Sequence, residues 1–77
     1  MLLEESLAMV LKKYRLKSKL TQEELAFRCE LDRTYISLIE RKKRRPTLNV
    51  IFIICRNLNI KPSLLVEEVE ALMKQDE

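Results

Sequence analysis

No glycine occurs among the 77 residues. Every boundary between elements must therefore be marked by other residues, and a glycine-rich loop that cradles phosphate is excluded. Histidine is absent as well, which removes the commonest metal ligand and the commonest proton carrier near neutral pH. Apolar residues make up 47% of the chain, enough for a core. A chain this short buries only roughly 60% of its unfolded surface, so a second subunit is expected to add to its stability. Length and composition predict a single domain over residues 1–77.

The apolar spacing is helical throughout. Leu3, Leu7, Val10, Leu11 and Tyr14 recur at intervals of three and four and predict a first helix from about Leu3 to Ser18. Thr21 and Glu24 form a capping-box pattern, with Glu three places after the cap, so a second helix starts at Gln22. Asp32 is a suitable N-cap for a third helix, Arg33 to Glu40. The run RKKRRP cannot remain helical to its end, because the residue before proline is displaced from the helical region. It reads as a basic loop, Arg41 to Arg45, closed by Pro46. Thr47 caps a fourth helix, Leu48 to about Leu58, and Lys61, Pro62 and Ser63 introduce a fifth, Leu64 to about Lys74, before a polar tail that frays. The expected fold class is all-α, with five short helices.

Cys29 and Cys55 lie 26 positions apart inside apolar stretches and belong to no ligand-spaced cluster. Buried reduced thiols are the leading expectation, with a disulfide as the alternative. The opening LLEESLAMVLKKY carries Glu4 and Glu5 where a signal peptide needs basic residues, and no apolar run approaches the length of a membrane span. A cytoplasmic protein is expected, with no membrane partner and no cofactor.

The most specific signal is a pair of short helices joined by a three-residue connection between Gln22 and Arg41. Ala26 stands where two steeply crossing helices come closest, and Leu25, Leu31, Ile36 and Ile39 supply the apolar contacts that fix the crossing. The stretch TQEELAFRCELDRTYISLIERKKRRPT resembles the lambda-repressor-like (Xre-like) helix-turn-helix family, and within it LDRTYISLIER is similar to the controller proteins of restriction-modification systems. The resemblance covers essentially the whole chain and implies a compact five-helix DNA-binding fold. The family usually has glycine at the turn position occupied here by Glu30. A non-glycine residue there is expected to bear a left-handed backbone at a cost on the order of 1 kcal/mol.

Charge is distributed in the same sense. Residues 12–45 hold twelve basic and five acidic side chains, a net of +7, whereas residues 1–11 and 46–77 are each at −2. The basic block coincides with the third helix and the loop after it, which points to nucleic acid. An α-helix fits the major groove and reads base edges from its N-terminal, outward side chains. Those are Arg33, Thr34 and Ser37, with Arg33 able to donate twice to guanine. Thr34 and Ser37 have capping or structural alternatives, and Tyr35 either stacks in the core or reaches a phosphate. The DNA backbone would be held by Gln22, Tyr35, Arg41, Lys42, Lys43, Arg44 and Arg45. The resemblance further implies an internal ion pair between Arg15 and Glu40, and by position in the family makes Glu23 the candidate contact for RNA polymerase.

The fourth helix, LNVIFIICRNL, is apolar around most of its circumference. Some of Val50, Ile51 and Phe52, with Leu65, Val69 or Leu72 from the fifth helix, are expected to meet a second subunit. A fully enclosed central helix is the alternative. A homodimer would place two recognition helices one turn of DNA apart and require a pseudo-palindromic operator. The leading expectation is a dimeric transcriptional regulator of its own gene and a linked restriction endonuclease gene. The alternatives are a phage-type repressor, the antitoxin of a toxin-antitoxin pair, and a helical module that binds an acidic protein. No nucleophile with an adjacent base argues for an enzyme.

Overall fold

The computed structural model describes residues 1–76, folded into α1 (Leu3–Lys17), α2 (Gln22–Arg28), α3 (Tyr35–Glu40), α4 (Leu48–Leu58) and α5 (Pro62–Met73), with a 3-10 turn over Lys74–Asp76. The five-helix order is the expected one, and there is no strand among the described residues. The polar tail begins with that 3-10 turn, and its last residue, Glu77, lies outside the described residues.

Local chemistry sets the helix starts. At α2 the Glu24 amide donates to Thr21 Oγ1 at 3.0 Å while the Thr21 amide donates to Glu24 Oε1 at 2.8 Å, completing the box. The Thr21 amide, and after it the Thr21 hydroxyl, hold the Glu24 carboxyl below the usual carboxylate range. Thr47 accepts from the Val50 amide at 3.2 Å and starts α4. Two starts differ from expectation. α5 begins at Pro62, two residues earlier than its apolar pattern suggests, because proline suits the first helical turn, where its missing N–H has no partner to lose. α3 begins at Tyr35, not Arg33. The Asp32 carboxylate accepts from both the amide and the hydroxyl of Thr34, at 2.9 and 2.7 Å, and the Asp32 carbonyl accepts from the Tyr35 amide at 2.9 Å. Asp32 thus closes the turn ahead of the element and is not its N-cap, which is Thr34, and Arg33 lies in that turn outside the regular helix.

The helix ends share one device. Lys19, Glu30, Lys42 and Asn59 all have left-handed backbones, with φ of 58°, 57°, 64° and 60°. After each, the next amide reaches back five residues: Leu20 to Arg15, Leu31 to Ala26, Lys43 to Leu38 and Ile60 to Cys55, at 2.8 to 3.2 Å. These are Schellman closures, usually built on glycine and here built without it.

Two apolar clusters form the interior. Leu11, Leu25, Ala26, Ile36, Ile39 and Ile54 centre the first, beneath α2 and α3, and Val10, Ile51, Cys55, Leu65 and Val69 form the second, between α1, α4 and α5. Leu7, Tyr14 and Ile60 pack against both. The subunit surface expected from the sequence is corrected here. Ile51, Leu65 and Val69 are buried within the chain itself, because α5 folds back across α1 and α4. Val50 and Leu72 are half-buried against the core, and of that set only Phe52 is exposed. Glu68 of α5 receives both Lys13 and Tyr14 of α1, which fastens the two helices across the second cluster.

Cys29 and Cys55 are free, buried thiols. Burial raises both above the ordinary thiol range, Cys55 to about 11, so neither is a nucleophile near neutral pH.

Candidate nucleic-acid interface

α3 is anchored by Ile36 and Ile39, each at most 1% exposed, and burying two such side chains is worth roughly 1.5 to 3 kcal/mol apiece. Its remaining face carries Ser37, half-buried, with Arg33 and Thr34 exposed in the turn before it. Arg33 and Thr34 lead into α3 from that turn, and Ser37 stands in the first turn of the helix itself. All three base-reading candidates therefore lie together at the N-terminal end of the helix that α2 props up.

An ion pair behind this face sets the angle of α3. Arg15 Nε and Nη2 donate to the two carboxylate oxygens of Glu40 at 2.7 and 2.9 Å, and Arg15 Nη1 donates to the Leu20 carbonyl at 2.8 Å. Gln22 Nε2 donates to Glu40 Oε1 at 3.0 Å. The end of α1, the start of α2 and the end of α3 are thereby tied at one carboxylate. Gln22, expected to hold the DNA backbone, instead has its side-chain amide directed at Glu40.

The basic residues Arg41, Lys42, Lys43, Arg44 and Arg45 are all exposed and follow α3 directly. Arg44 lies over the Tyr35 ring, 5.0 Å from its centroid, so Tyr35 neither enters the core fully nor stands free. Arg45 reaches Glu4 of α1 at 2.5 Å. Arg41, Lys42 and Lys43 form no salt bridge among the described residues, leaving three cations unneutralised beside α3. Glu23 and Arg33 meet at 3.1 Å across the turn between α2 and α3. That pair, the Arg44 contact with Tyr35 and the Arg45 contact with Glu4 have no signal in the sequence, since each depends on the crossing of elements or the path of a loop.

The model of the helix-turn-helix family matches residues 11–65, which takes in both short helices, the basic loop and α4. The chain belongs to the helix-turn-helix family of DNA-binding transcriptional regulators. Within that family it groups with the control proteins of restriction-modification systems. It is 47% identical over 51 residues to control protein C.BamHI of Bacillus amyloliquefaciens, a match that takes in 66% of this chain and 63% of that relative, short of two thirds of its length. It is 41% identical over 67 residues to control protein C.SmaI of Serratia marcescens, covering 86% of this chain and 80% of the relative. The crystal structure of the wild-type restriction-modification controller protein C.Esp1396I superposes with a TM-score of 0.83 at 36% identity, covering 95% of each chain. The helix-turn-helix chain contains no single helix long and apolar enough to cross a membrane among its described residues.

Proposed function

We propose that this helix-turn-helix chain is a dimeric controller that binds a pseudo-palindromic operator upstream of its own gene and of a linked restriction endonuclease gene. One domain carries both DNA binding and self-association. The observation that carries the reading is the exposure of Arg33 and Thr34 in the turn entering α3, with Ser37 half-buried on its first turn and five exposed basic residues directly after its end. Arg33 donates to guanine, Thr34 and Ser37 complete the base contacts, and Arg41, Lys42, Lys43, Arg44 and Arg45 hold phosphates. Tyr35 acts at the backbone through Arg44, whose guanidinium it supports.

Subunits associate through the apolar side chains that the fold leaves uncovered. Leu48 and Phe52, one turn apart on α4, are 67% and 50% exposed, and Val66 of α5 is 51% exposed. Leu48 and Val66 line a common groove of about 230 Å³ with Leu3, Pro46 and the rim residue Arg45. Two-fold symmetry would set the paired α3 helices about 34 Å apart.

RNA polymerase is the further partner proposed. Glu23 is exposed at the start of α2, and Phe27 one turn later is 84% exposed, so an acidic group and an aromatic ring project together. Activation at low operator occupancy and repression at higher occupancy follow from a regulator that touches polymerase from one site and blocks it from another.

Selection of bound duplexes from a random DNA library, with the wild-type chain and with Arg33→Ala, tests the reading. A pseudo-palindrome is expected, relaxed in the variant at one base pair per half-site. Failure to enrich any sequence would overturn it in favour of a basic surface for a protein or for DNA of any sequence.

A further inference from the structure

Arg33 is already paired before any DNA is present. Its Nη2 lies 3.1 Å from Glu23 Oε1, although ten residues and a change of chain direction separate them. The two side chains are 76% and 67% exposed, and an ion pair so open to water adds little to folding. The angle between α2 and α3 is secured elsewhere, by Ile36, Ile39 and the Arg15–Glu40 pair. The Glu23–Arg33 contact instead occupies the guanidinium that would read DNA. Asp32, next to Arg33 in sequence, does not take this role, because its Oδ1 accepts from the Thr34 amide and hydroxyl.

A carboxylate offers a guanidinium two acceptors side by side, the same pattern that O6 and N7 of guanine present in the major groove. From this likeness, and resting on the reading of Arg33 as a base reader, we infer that Glu23 is a specificity-determining residue that stands in for guanine whenever Arg33 is off its base. On DNA lacking guanine at that position, Arg33 stays on Glu23 and its charge is withheld from nearby phosphates. Where guanine is present, Arg33 exchanges the one Glu23 oxygen it holds for O6 and N7, and the operator contact forms at the cost of the Glu23 pair. Glu23 thus lowers affinity for the operator, where its pair with Arg33 must break, more than for sequences on which Arg33 keeps that pair. Exchange at guanine also releases the Glu23 carboxylate on the operator alone.

The test uses the purified full chain, the operator duplex enriched from the random library, and the same duplex with the guanine read by Arg33 replaced. Affinities are measured at several salt concentrations for wild type, Glu23→Gln, Arg33→Ala and the double variant. Glu23→Gln is expected to bind the operator more tightly relative to the altered duplex, widening the ratio by up to roughly two- to five-fold, the worth of one exposed ion pair. On the altered duplex its salt dependence steepens by about one counterion per subunit, because Arg33 becomes free to meet a phosphate. In the Arg33→Ala background the substitution leaves the ratio unchanged. An unaltered ratio in Glu23→Gln, or equal widening in the double variant, overturns this inference while leaving the reading of the chain as an operator-binding protein intact. A library that enriches nothing overturns both.

Discussion

Arg15 grips both oxygens of Glu40, at 2.7 and 2.9 Å, and the two side chains are only 9% and 4% exposed. Breaking a pair this buried leaves the surviving charge uncompensated, which costs about 3 to 5 kcal/mol. Arg15→Ala is therefore expected to lower the melting temperature by well over ten degrees, given roughly 4 to 8 °C per kcal/mol for a domain of this size. DNA binding would disappear with the fold. Arg33→Ala, by contrast, should keep the wild-type melt and lose specific binding, and circular dichroism alongside a binding assay separates the two. A wild-type melt for Arg15→Ala would show that the pair does not hold the helices.

Glu30 carries a left-handed backbone, with φ of 57°, at the junction of α2 and the turn. Glycine there removes a penalty on the order of 1 kcal/mol, so Glu30→Gly should melt several degrees higher with unchanged operator affinity. Part of the gain is offset by the greater freedom glycine gives the unfolded chain. A lower melting temperature would mean that the Glu30 side chain makes up the backbone cost.

Glu68 links acid and alkaline stability. Its hydrogen bonds from Lys13 and Tyr14 hold its carboxyl below the usual range, and the same contacts raise Tyr14 and Lys13 above theirs. A depressed carboxyl contributes stability above its unfolded pKa and loses it as pH falls through the folded value. A raised phenol or ammonium contributes below its unfolded pKa and loses that as pH rises through the folded value. Melting temperature should therefore be flat between about pH 5 and 9, falling below about 4 and above about 10. Glu68→Gln should shallow both limbs; if only the acid limb changes, Tyr14 and Lys13 do not depend on it.

Phe52 and Leu48 lie one turn apart on the uncovered side of α4. Phe52→Asp places a charge on the proposed subunit surface, and sedimentation should then show a monomer with unchanged helix content. With two half-sites no longer held together, operator affinity should drop by roughly a hundredfold. A dimer of normal stability in this variant would move the interface to another face.

The sequence was most informative where the governing interaction is local. The Thr21–Glu24 box spans four residues, so the start of α2 is legible to the residue, as is the start of α4 at Leu48 after its Thr47 cap. α3 was placed two residues early because Asp32 accepts from the Thr34 amide in a tight turn, a geometry that the same residue types do not distinguish from a regular first helical turn. The subunit surface was legible only in part. The apolar surplus of α4 was visible, but whether Ile51 faces a partner or the chain depends on how α5 folds back, which no spacing encodes. Among the candidate site residues, Ser37 alone sits in the regular helix from which all three base readers are expected, Arg33 and Thr34 lying in the turn before it, and Glu23 reaching Arg33 depends on a crossing angle set by side chains from three helices.

The four left-handed closures at Lys19, Glu30, Lys42 and Asn59 bear on how much of this chain exists to act. Each non-glycine residue in that conformation forfeits on the order of 1 kcal/mol, asparagine least, from a total that for a domain of this size is only about 4 to 12 kcal/mol. For a chain drawn toward that threshold the proposed association would add to its margin, and its melting temperature would then rise with its own concentration. Copies that are few unfold more often and are cleared by proteases sooner than copies that are many. Abundance then governs survival of the molecule before it governs occupancy of DNA, and accumulation becomes steeper than synthesis alone would make it.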